Sequence, residues 1–359
     1  MNTTSRPLRL SLSNVGEYLV QQKQKLPFYM NSIRTIKEVA EYSNNNYLFE
    51  ITVSRSGIQK RYFLKQSQQY NKRSAQLRKP ITIPPARILG EIHLINRLEQ
   101  LWGRTTVPHI FFYDTKNFVF LMSDIKAKGK YLIDEFAKHR VHPEIGKTLG
   151  RYLGRLHATS YRPHGTCGIN PDYQRFMLRF FYNKHWGYGA RKFFPSRMVG
   201  SFYREVNKVP ATIIWGDPVY RNIFIRGKER IGCIDFDHAV LYDPMHDLGV
   251  LTAHWVWMWI KGNTKLKYDS EKFLTSCTAS YWRQWNKQPK LTAKEQTAMR
   301  ERLLQWIGIY LLSRTDGRSG SYFKPWPAWE KRIRQLGIQL FKGGENTLTA
   351  RLKKLLSVV

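Results

Sequence analysis

The strongest structural signal in this sequence is a short apolar hairpin with polar side chains at its open end. Apolar runs at 211–214, 223–225 and 231–234 predict three short strands. Gly227 and Lys228 predict the turn that joins the last two strands. The polar residues that flank these runs therefore lie at strand ends, where their side chains can converge. A chain of 359 residues can bury a large core around such a hairpin and would usually form two lobes or domains.

Three polar residues at that open end have the spacing of a phosphoryl-transfer site. Asp217 and Asn222 are five residues apart, and Asp235 follows thirteen residues after Asn222. In such a site an acid meets the attacking hydroxyl, while an amide and a second acid hold Mg²⁺ against the phosphates of ATP. Asp and Asn are also ordinary turn residues, so a hairpin rich in Asx turns is the alternative.

A lysine and a glutamate upstream indicate the same chemistry. The run Arg61–Gln66 predicts a strand that contains Lys65, and Glu91 follows in a segment whose apolar residues at 88, 92 and 95 predict a helix. Kinase-like folds use a glutamate on a helix to aim a strand lysine at the α- and β-phosphates. Lys65 alone would read as an exposed edge residue. The order lysine, glutamate, Asp-x4-Asn, acid favours the nucleotide-binding interpretation.

With these motifs in this order, the chain resembles the aminoglycoside phosphotransferase and methylthioribose kinase family, which is related in fold to choline kinases and protein kinases. The resemblance extends from about Val15 to about Gly249. It also includes VGEYL at 15–19, the polar turn at 43–49, LGRYLGRLH at 149–157, and the DP and DLG segments at 243–249. It implies an α+β, two-lobed protein kinase-like fold. A small antiparallel-sheet N-lobe would span 1–124, and a larger helical C-lobe would span 125–359.

The resemblance implies roles for the polar residues of the hairpin region. Asp217 would be the catalytic base, or the acid that orients the acceptor hydroxyl. Asn222 and Asp235 would ligate Mg²⁺, and Asp247 would brace the catalytic loop through hydrogen bonds. The reaction would be a direct in-line transfer from ATP, without a covalent phospho-enzyme.

The resemblance also implies which residues bind ATP. Lys65 would hold the phosphates, and Glu91 would hold Lys65. The other nucleotide-binding candidates lie in the phosphate-covering turn and in the hinge next to adenine: Ser43, Asn45, Met122, Ser123 and Asp124.

Three features depart from the family pattern. Trp215 stands where these families usually have a loop-bracing histidine, which a tryptophan could replace by packing. Arg221 stands where the residue is commonly small. It is a candidate to contact the phosphates or an anionic substrate, or to point to solvent. The phosphate-covering turn has no glycine between Glu41 and Glu50, although its asparagines tolerate left-handed conformations better than most residues do.

Further candidates for the acceptor site lie downstream of the catalytic acid and in an aromatic-rich insertion. Asp237 follows Asp235 by two residues and would lie on the same side if the segment is extended. Arg314 ends an apolar helical pattern, and a simple helix stop is the alternative that we favour. The insertion at 158–209 is rich in aromatic residues, for most of which packing into the core is the favoured interpretation.

The charge of the chain is far larger than an ATP site requires. Lys and Arg number 59 against 26 Asp and Glu, a net charge of +33, and residues 60–87 contain eight basic residues and no acid. Such a field would concentrate ATP and anionic acceptors, and it argues against a polycationic aminoglycoside as substrate. We therefore expect a neutral or anionic hydroxyl compound, such as a sugar. The alternative is a non-catalytic kinase-fold protein that binds nucleic acid or an anionic membrane surface.

The remaining features predict a cytoplasmic enzyme. The N-terminal stretch MNTTSRPLRLSLS lacks the apolar core of a secretory signal, and the apolar stretch at 248–260 is too short to span a bilayer. Cys167, Cys233 and Cys277 are scattered and form no CxxC pair. This argues against a disulfide framework and a zinc site, and it fits a reducing compartment.

Overall fold

The chain divides into two compact units in the computed structural model. One unit comprises Met1–Ala127 with Gly168–Tyr173, and the other comprises Lys128–Cys167 with Gln174–Val359. The structure describes residues 7–39, 46–69, 82–126, 129–138, 140–161, 169–261, 264–287, 291–316, 327–343, 350 and 352–354. The first unit contains an antiparallel sheet and the second is mainly helical, which confirms the predicted α+β class.

The first unit contains one five-stranded antiparallel sheet with the strand order β1-β2-β3-β5-β4. Its strands are β1 (Ile33–Glu38), β2 (Asn46–Arg55), β3 (Ile58–Ser67), β4 (Ile110–Asp114) and β5 (Val119–Ser123). Its helices are α1 (Val15–Gln21) and α2 (Arg87–Trp102). The predicted strand around Lys65 and the predicted helix around Glu91 are therefore both present, as β3 and α2.

The β2–β3 hairpin shows how local sequence sets the register of this sheet. Arg55 pairs with Ile58, which leaves a two-residue turn. Ser56 and Gly57 in that turn have φ values of 50° and 76°. Positive φ at both positions is the backbone of the type I′ turn, whose twist matches that of the strands it joins. The same register places Lys65 on the central strand, opposite Leu48 of β2.

The second unit combines helices with two small sheets, of strand order β6-β8-β9 and β7-β10. Its helices are α3 (Leu132–Ala137), α4 (Pro143–Ser160), α6 (Gly187–Ala190), α7 (Ser196–Val206), α8 (Met245–Lys261), α9 (Thr264–Trp285), α10 (Ala293–Thr315) and α11 (Pro327–Lys342), with a π-helix at Met177–Trp186. The short helix α5 (Pro171–Phe176) begins in the first unit and ends in the second. The strands are β6 (Lys130–Tyr131), β7 (Thr212–Ile214), β8 (Ile223–Arg226), β9 (Arg230–Cys233) and β10 (Val240–Tyr242).

These strands confirm the hairpin predicted from the apolar runs. β8 pairs with β9 from Ile223 opposite Cys233 to Arg226 opposite Arg230. Gly227 has a φ of 70° in the turn between them, a conformation that glycine adopts without steric cost. The predicted strand before Asp217 is present as β7, which pairs with β10.

Helix α4 contacts α9 through a stripe of three glycines. A Cβ added at Gly146, Gly150 or Gly154 would collide with the carbonyl oxygen of a residue of α9, which is Phe273, Cys277 and Tyr281 respectively. The two backbones therefore touch at four-residue steps, with no side chain between them.

We expect Gly150→Ala to lower the free energy of unfolding of the second unit by about 1–3 kcal/mol, because the new methyl group overlaps backbone that cannot move aside. Gly200→Ala on α7 is the matched control, since its Cβ would meet only ordinary contacts. That change should raise the free energy of unfolding by about 0.5–1 kcal/mol. Urea unfolding of both variants measures the difference. If the two substitutions changed the free energy of unfolding equally, α4 and α9 would be able to move apart and accommodate the new methyl group without cost.

The described part of the chain contains no helix that is both long enough and apolar enough to span a membrane. Cys233 and Cys277, whose thiols are buried, are free cysteines.

Candidate functional site

The β8–β9 hairpin brings two of the predicted site residues to its open end. The backbone N–H of Ile234 donates to the carbonyl oxygen of Asn222 at 3.0 Å, which extends the pairing one step past Ile223 and Cys233. Asn222 and Asp235 consequently flank the last bond of the hairpin, as the strand prediction implied.

Asp217 joins them through the side chain of Asn222. Asn222 Nδ2 donates to the backbone oxygen of Asp217 at 3.0 Å and to its carboxylate Oδ2 at 3.2 Å. Both residues are 5% exposed. An amide that donates through its nitrogen keeps its oxygen as an acceptor, so Asn222 Oδ1 is the atom that suits a cation.

Trp215 fixes the backbone of Asp235 from inside the core. Its indole Nε1 donates to the carbonyl oxygen of Asp235 at 3.0 Å, and its ring packs on Phe236 with centroids 5.0 Å apart. Asp235 has a φ of 62°, which is uncommon for a residue with a Cβ and is concentrated at functional sites. The indole therefore does more than the packing expected from sequence, because it also holds the carbonyl of a left-handed residue.

A buried carboxylate, Asp247, accepts hydrogen bonds from the loop that leads to Asp217. The backbone N–H groups of Trp215 and Gly216 donate to its two oxygens at 2.6 and 2.9 Å. The imidazoles of His157 and His246 lie 3.1 and 3.2 Å from the same oxygens. Asp247 thus connects the loop backbone to α4 and α8.

Hydrogen bonds keep Asp247 ionised despite its burial. Burial by itself would raise its pKa, but hydrogen bonds and charge interactions with His157 and His246 hold the pKa well below its usual range. His157 in turn contacts the hydroxyl of Tyr281 on α9, with Nδ1 and the hydroxyl oxygen 2.9 Å apart. A chain of buried polar groups therefore runs from the loop to α9.

The first unit contains the predicted lysine–glutamate pair. Lys65 Nζ lies 2.7 Å from Glu91 Oε1, and the two residues are 5% and 3% exposed. β3 places Lys65 between Leu48 of β2 and Phe120 of β5. The predicted contact is present, and the binding of phosphates by Lys65 stays a prediction.

The predicted hinge residues Met122, Ser123 and Asp124 have partners within the sheet unit. The N–H of Ser123 donates to the carbonyl of His109 at 2.9 Å, and the N–H of His109 donates back to Ser123 Oγ at 2.9 Å. Asp124 Oδ2 lies 2.7 Å from Arg61 Nη2, and Met122 pairs with Phe63 in β3. The backbone amide and the hydroxyl of Ser123 are thus already hydrogen-bonded within the sheet unit.

Ser43 and Asn45, of the predicted phosphate-covering turn, lie outside the described residues.

The structure does not contain the extended segment that was expected to place Asp237 on the same side as Asp235. Its position beside Asp235 required an extended segment, but residues 234–239 contain a turn and Asp235 has a positive φ. Asp237 is 5% exposed, and its Oδ1 lies 3.6 Å from His238 Nε2. Side-chain alternation along a strand therefore does not apply here.

The sequence analysis missed two residues, His254 and Tyr310, the second of which is within reach of the charge of Asp217. His254 Nε2 lies 2.7 Å from the hydroxyl of Tyr310, which also accepts a hydrogen bond from Arg314 Nη2. Burial, followed by the charges of Arg314 and Arg221, depresses the pKa of His254 well below its usual value. The imidazole is therefore neutral, and the hydroxyl of Tyr310 can donate to it. The sequence offered one signal for these contacts: Tyr310 and Arg314 are four residues apart on one helix, a spacing at which side chains meet.

The aromatic insertion is partly core and partly surface. Tyr182 and Trp186 are buried, as the core interpretation predicted, whereas Tyr188 and Phe193 are 37% and 36% exposed. The side chains of Phe180 and Phe181 lie outside the described set.

The donor set at the hairpin suits a hard cation that is shared with phosphates. Within the described ranges, no group of three or more His, Cys, Asp or Glu residues could hold a metal ion. Mg²⁺ is commonly bound by only one or two protein oxygens together with substrate phosphates and water. The amide oxygen of Asn222 and the carboxylate of Asp235 fit that requirement.

Comparison with known proteins identifies a matching family. The sequence model of the phosphotransferase enzyme family (APH) matches residues 35–263, which is more than half of the 359 residues. No curated protein matches the chain.

Two solved structures illustrate the fold. An amicoumacin kinase in complex with AMP-PNP, Ca²⁺ and Ami is 15% identical, with 93% of this chain and 96% of that chain covered and a TM-score of 0.51. A Plasmodium vivax ethanolamine kinase is 12% identical, with 96% and 91% covered and a TM-score of 0.50. At such identities the similarity establishes the fold, which is the predicted α+β, protein kinase-like one.

Proposed function

Since this chain belongs to the phosphotransferase enzyme family, we propose that it transfers the γ-phosphoryl group of ATP directly to a hydroxyl group of a small molecule. The observation that carries the proposal is the arrangement at the hairpin. Asp217, Asn222 and Asp235 are brought together by the Asn222 hydrogen bonds and by the last bond of the β8–β9 ladder. Nucleotide binding is assigned to residues 1–124, and catalysis to residues 125–359.

Asp217 is the residue that would receive or orient the proton of the acceptor hydroxyl. In the in-line step a bond forms between the hydroxyl oxygen and the γ-phosphorus, while the bond from that phosphorus to the leaving oxygen of ADP breaks. The hydroxyl proton passes to the Asp217 carboxylate. Asn222 donates to that carboxylate at 3.2 Å, which holds it in one orientation for the acceptor.

Asn222 and Asp235 are the proposed ligands of Mg²⁺, which when bound neutralises charge on the transferring phosphates. Trp215 would keep Asp235 in place through the hydrogen bond to its carbonyl oxygen. In the first unit, Lys65 is the proposed phosphate ligand, oriented by Glu91. The ATP hypothesis is also supported by the AMP-PNP in the amicoumacin kinase complex.

The net charge of +33 favours a neutral or anionic acceptor over a polycation. We propose a cytoplasmic location, which is consistent with the buried free thiols of Cys233 and Cys277.

Mg²⁺-dependent binding of ATP, measured by thermal shift, is the first test of this function. At an ATP concentration of about one hundred times its Kd, the protein should gain roughly 2.7 kcal/mol of stability when Mg²⁺ is present. Asp235→Ala should lose this gain. Glu229→Ala is the matched control, because it removes an exposed acid at the opposite end of the same hairpin.

The thermal shift separates the two candidate functions. If neither the wild-type protein nor the control responded to MgATP, catalysis would lose its support. Binding of nucleic acid that weakens steeply with salt would then favour the alternative of a basic binding protein. If the wild-type protein responds, release of ADP in the presence of hydroxyl compounds identifies the acceptor.

A further inference from the structure

One arginine lies close to the predicted catalytic acid in the second unit, and packed side chains connect it to a second arginine. Arg221 follows Asp217 by four residues, and its Nη2 is 3.7 Å from Asp217 Oδ2. Arg314 is in the last turn of α10. Its guanidinium donates to the hydroxyl of Tyr310 and stacks on that ring, with Cζ 4.6 Å from the ring centroid.

Packed rings connect the two arginines. Tyr220, next to Arg221, packs on His254 with ring centroids 5.3 Å apart. His254 contacts Tyr310, both ring to ring at 5.3 Å and through the hydrogen bond to the hydroxyl. Arg314 follows at the far side of Tyr310. These contacts, together with the peptide bond between Tyr220 and Arg221, therefore link Asp217 to Arg314.

The charges of Arg221 and Arg314 both act on His254 and Tyr310. Burial raises the pKa of Tyr310 to about 12. The charges of Arg314 and Arg221 lower this pKa, and that of Asp217 raises it. His254 is neutral because burial and the charges of both arginines oppose its protonation. The two guanidinium groups are thus connected through the rings of Tyr220, His254 and Tyr310. The partly buried position of Arg314 strengthens the attraction of its guanidinium for an anion, whereas the side chain of Arg221 is 47% exposed.

Arg314 has the features of a ligand-binding side chain. Its Nε is buried without a hydrogen-bond partner, and within the described part of the chain no carboxylate lies within ion-pair distance of its guanidinium. The next two acids after Arg314 along the chain, Asp316 and Glu330, are paired with Arg334 at 2.8 and 2.6 Å. A buried charged donor without an acceptor is costly. A ligand that supplies a hydrogen-bond acceptor to this guanidinium removes that cost.

We propose that Arg221 and Arg314 bind an anionic group of the acceptor, a carboxylate or a phosphate, while the hydroxyl to be phosphorylated meets Asp217. Guanidinium groups suit both anions because their N–H donors match two oxygens at once. The inference rests on the proposed phosphotransferase function. It narrows the proposed class of acceptor molecules from neutral or anionic compounds to hydroxyl compounds with an acidic substituent.

Matched acceptor pairs test the inference. Ribose is compared with ribose 5-phosphate, and glycerol with glycerate, by release of ADP from MgATP. We expect the wild-type protein to prefer the anionic member of at least one pair by about 10- to 100-fold in kcat/KM, which is the effect of one or two hydrogen bonds to a charged group. The pair in which the preference is found distinguishes a phosphate from a carboxylate.

Variants then assign the preference to the two arginines. Arg221→Met and Arg314→Met should each remove about 10-fold or more of the preference by raising KM for the anionic acceptor, while KM for ATP stays unchanged. Arg314→Lys should retain part of it, because charge is kept but the fork geometry is lost. Arg300→Met, on the same helix and with the same loss of charge, is the control and should have no effect.

Three results would overturn the inference. One is equal use of the neutral and anionic members by the wild-type protein. Another is an equal effect of Arg314→Met and Arg300→Met. The third is a rise of KM for ATP in the arginine variants, which would place the guanidinium groups on the nucleotide.

Failure of the proposed function is separable from failure of this inference. If no compound is phosphorylated, the binding of ribose 5-phosphate and of glycerate is measured by calorimetry without ATP. Binding that is lost in Arg314→Met but kept in Arg300→Met upholds the anion site while the transfer reaction fails. Absence of binding to either anion, in a protein that also has no turnover, overturns both.

Discussion

Asp217→Asn is expected to lower the turnover of phosphoryl transfer by roughly 10²–10⁴-fold while MgATP binding is largely kept. An amide has almost the shape of a carboxylate, but it cannot take the proton of the acceptor hydroxyl. Asp217 Oδ2 accepts from Asn222 and lies 3.7 Å from Arg221, so the substitution changes chemistry within an intact frame. Steady-state release of ADP measures turnover, and the MgATP-dependent thermal shift measures binding.

The control for this variant is Asp269→Asn, a change of the same type on α9. It should leave turnover at the wild-type level. Turnover of Asp217→Asn that equals that of the control would remove Asp217 from the catalytic role. Loss of the MgATP response together with turnover would instead indicate that Asp217 supports nucleotide binding.

Asp247→Ala should lower the free energy of unfolding of the second unit by about 3–5 kcal/mol, the usual effect of removing one partner from a buried ionic network. The change leaves the N–H groups of Trp215 and Gly216 without their acceptor. It also removes the oxygens that contact His157 and His246. Urea unfolding at neutral pH measures the loss, with Asp269→Ala as the control.

The effect of Asp247→Ala should depend on pH in a defined direction. The pKa of Asp247 is lower in the folded protein than in the unfolded chain. Its stabilisation is therefore complete above the unfolded pKa of about 3.9 and declines as the pH falls below that value. The difference between wild type and variant should accordingly be constant near neutrality and shrink in acid. A difference that grows on acidification would contradict the ionised state of Asp247.

Much of the site's local structure could be predicted because it depends on short-range rules. The apolar runs, the turn at Gly227 and the order of Lys65 and Glu91 each reflect strand, turn or helix periodicity, and β8, β9, β3 and α2 follow them. The hairpin alone then places Asn222 near Asp235, since register fixes which residues meet.

Other parts of the site depend on contacts that sequence patterns do not encode. Asp237 was placed by assuming an extended segment, and the left-handed backbone at Asp235 removes that alternation. Trp215 was expected to pack, but its hydrogen bond spans 20 residues to a carbonyl whose orientation only the folded chain defines. The contact between His254 and Tyr310 spans 56 residues and joins two helices. Neither contact follows from periodicity within one element.

The buried hydrogen bonds of Asp247 make the loop before Asp217 part of the cooperative core of the second unit. The carboxylate joins the loop to His157 on α4, and Tyr281 on α9 completes the connection. α4 and α9 also touch backbone to backbone at Gly150. Loosening the loop breaks hydrogen bonds to a carboxylate that also contacts the helix pair, so we expect the loop to have no low-energy local unfolding of its own. We therefore expect heat to disorder the loop together with the rest of the unit, and the amide protons of Trp215 and Gly216 to exchange with solvent only when the whole unit opens.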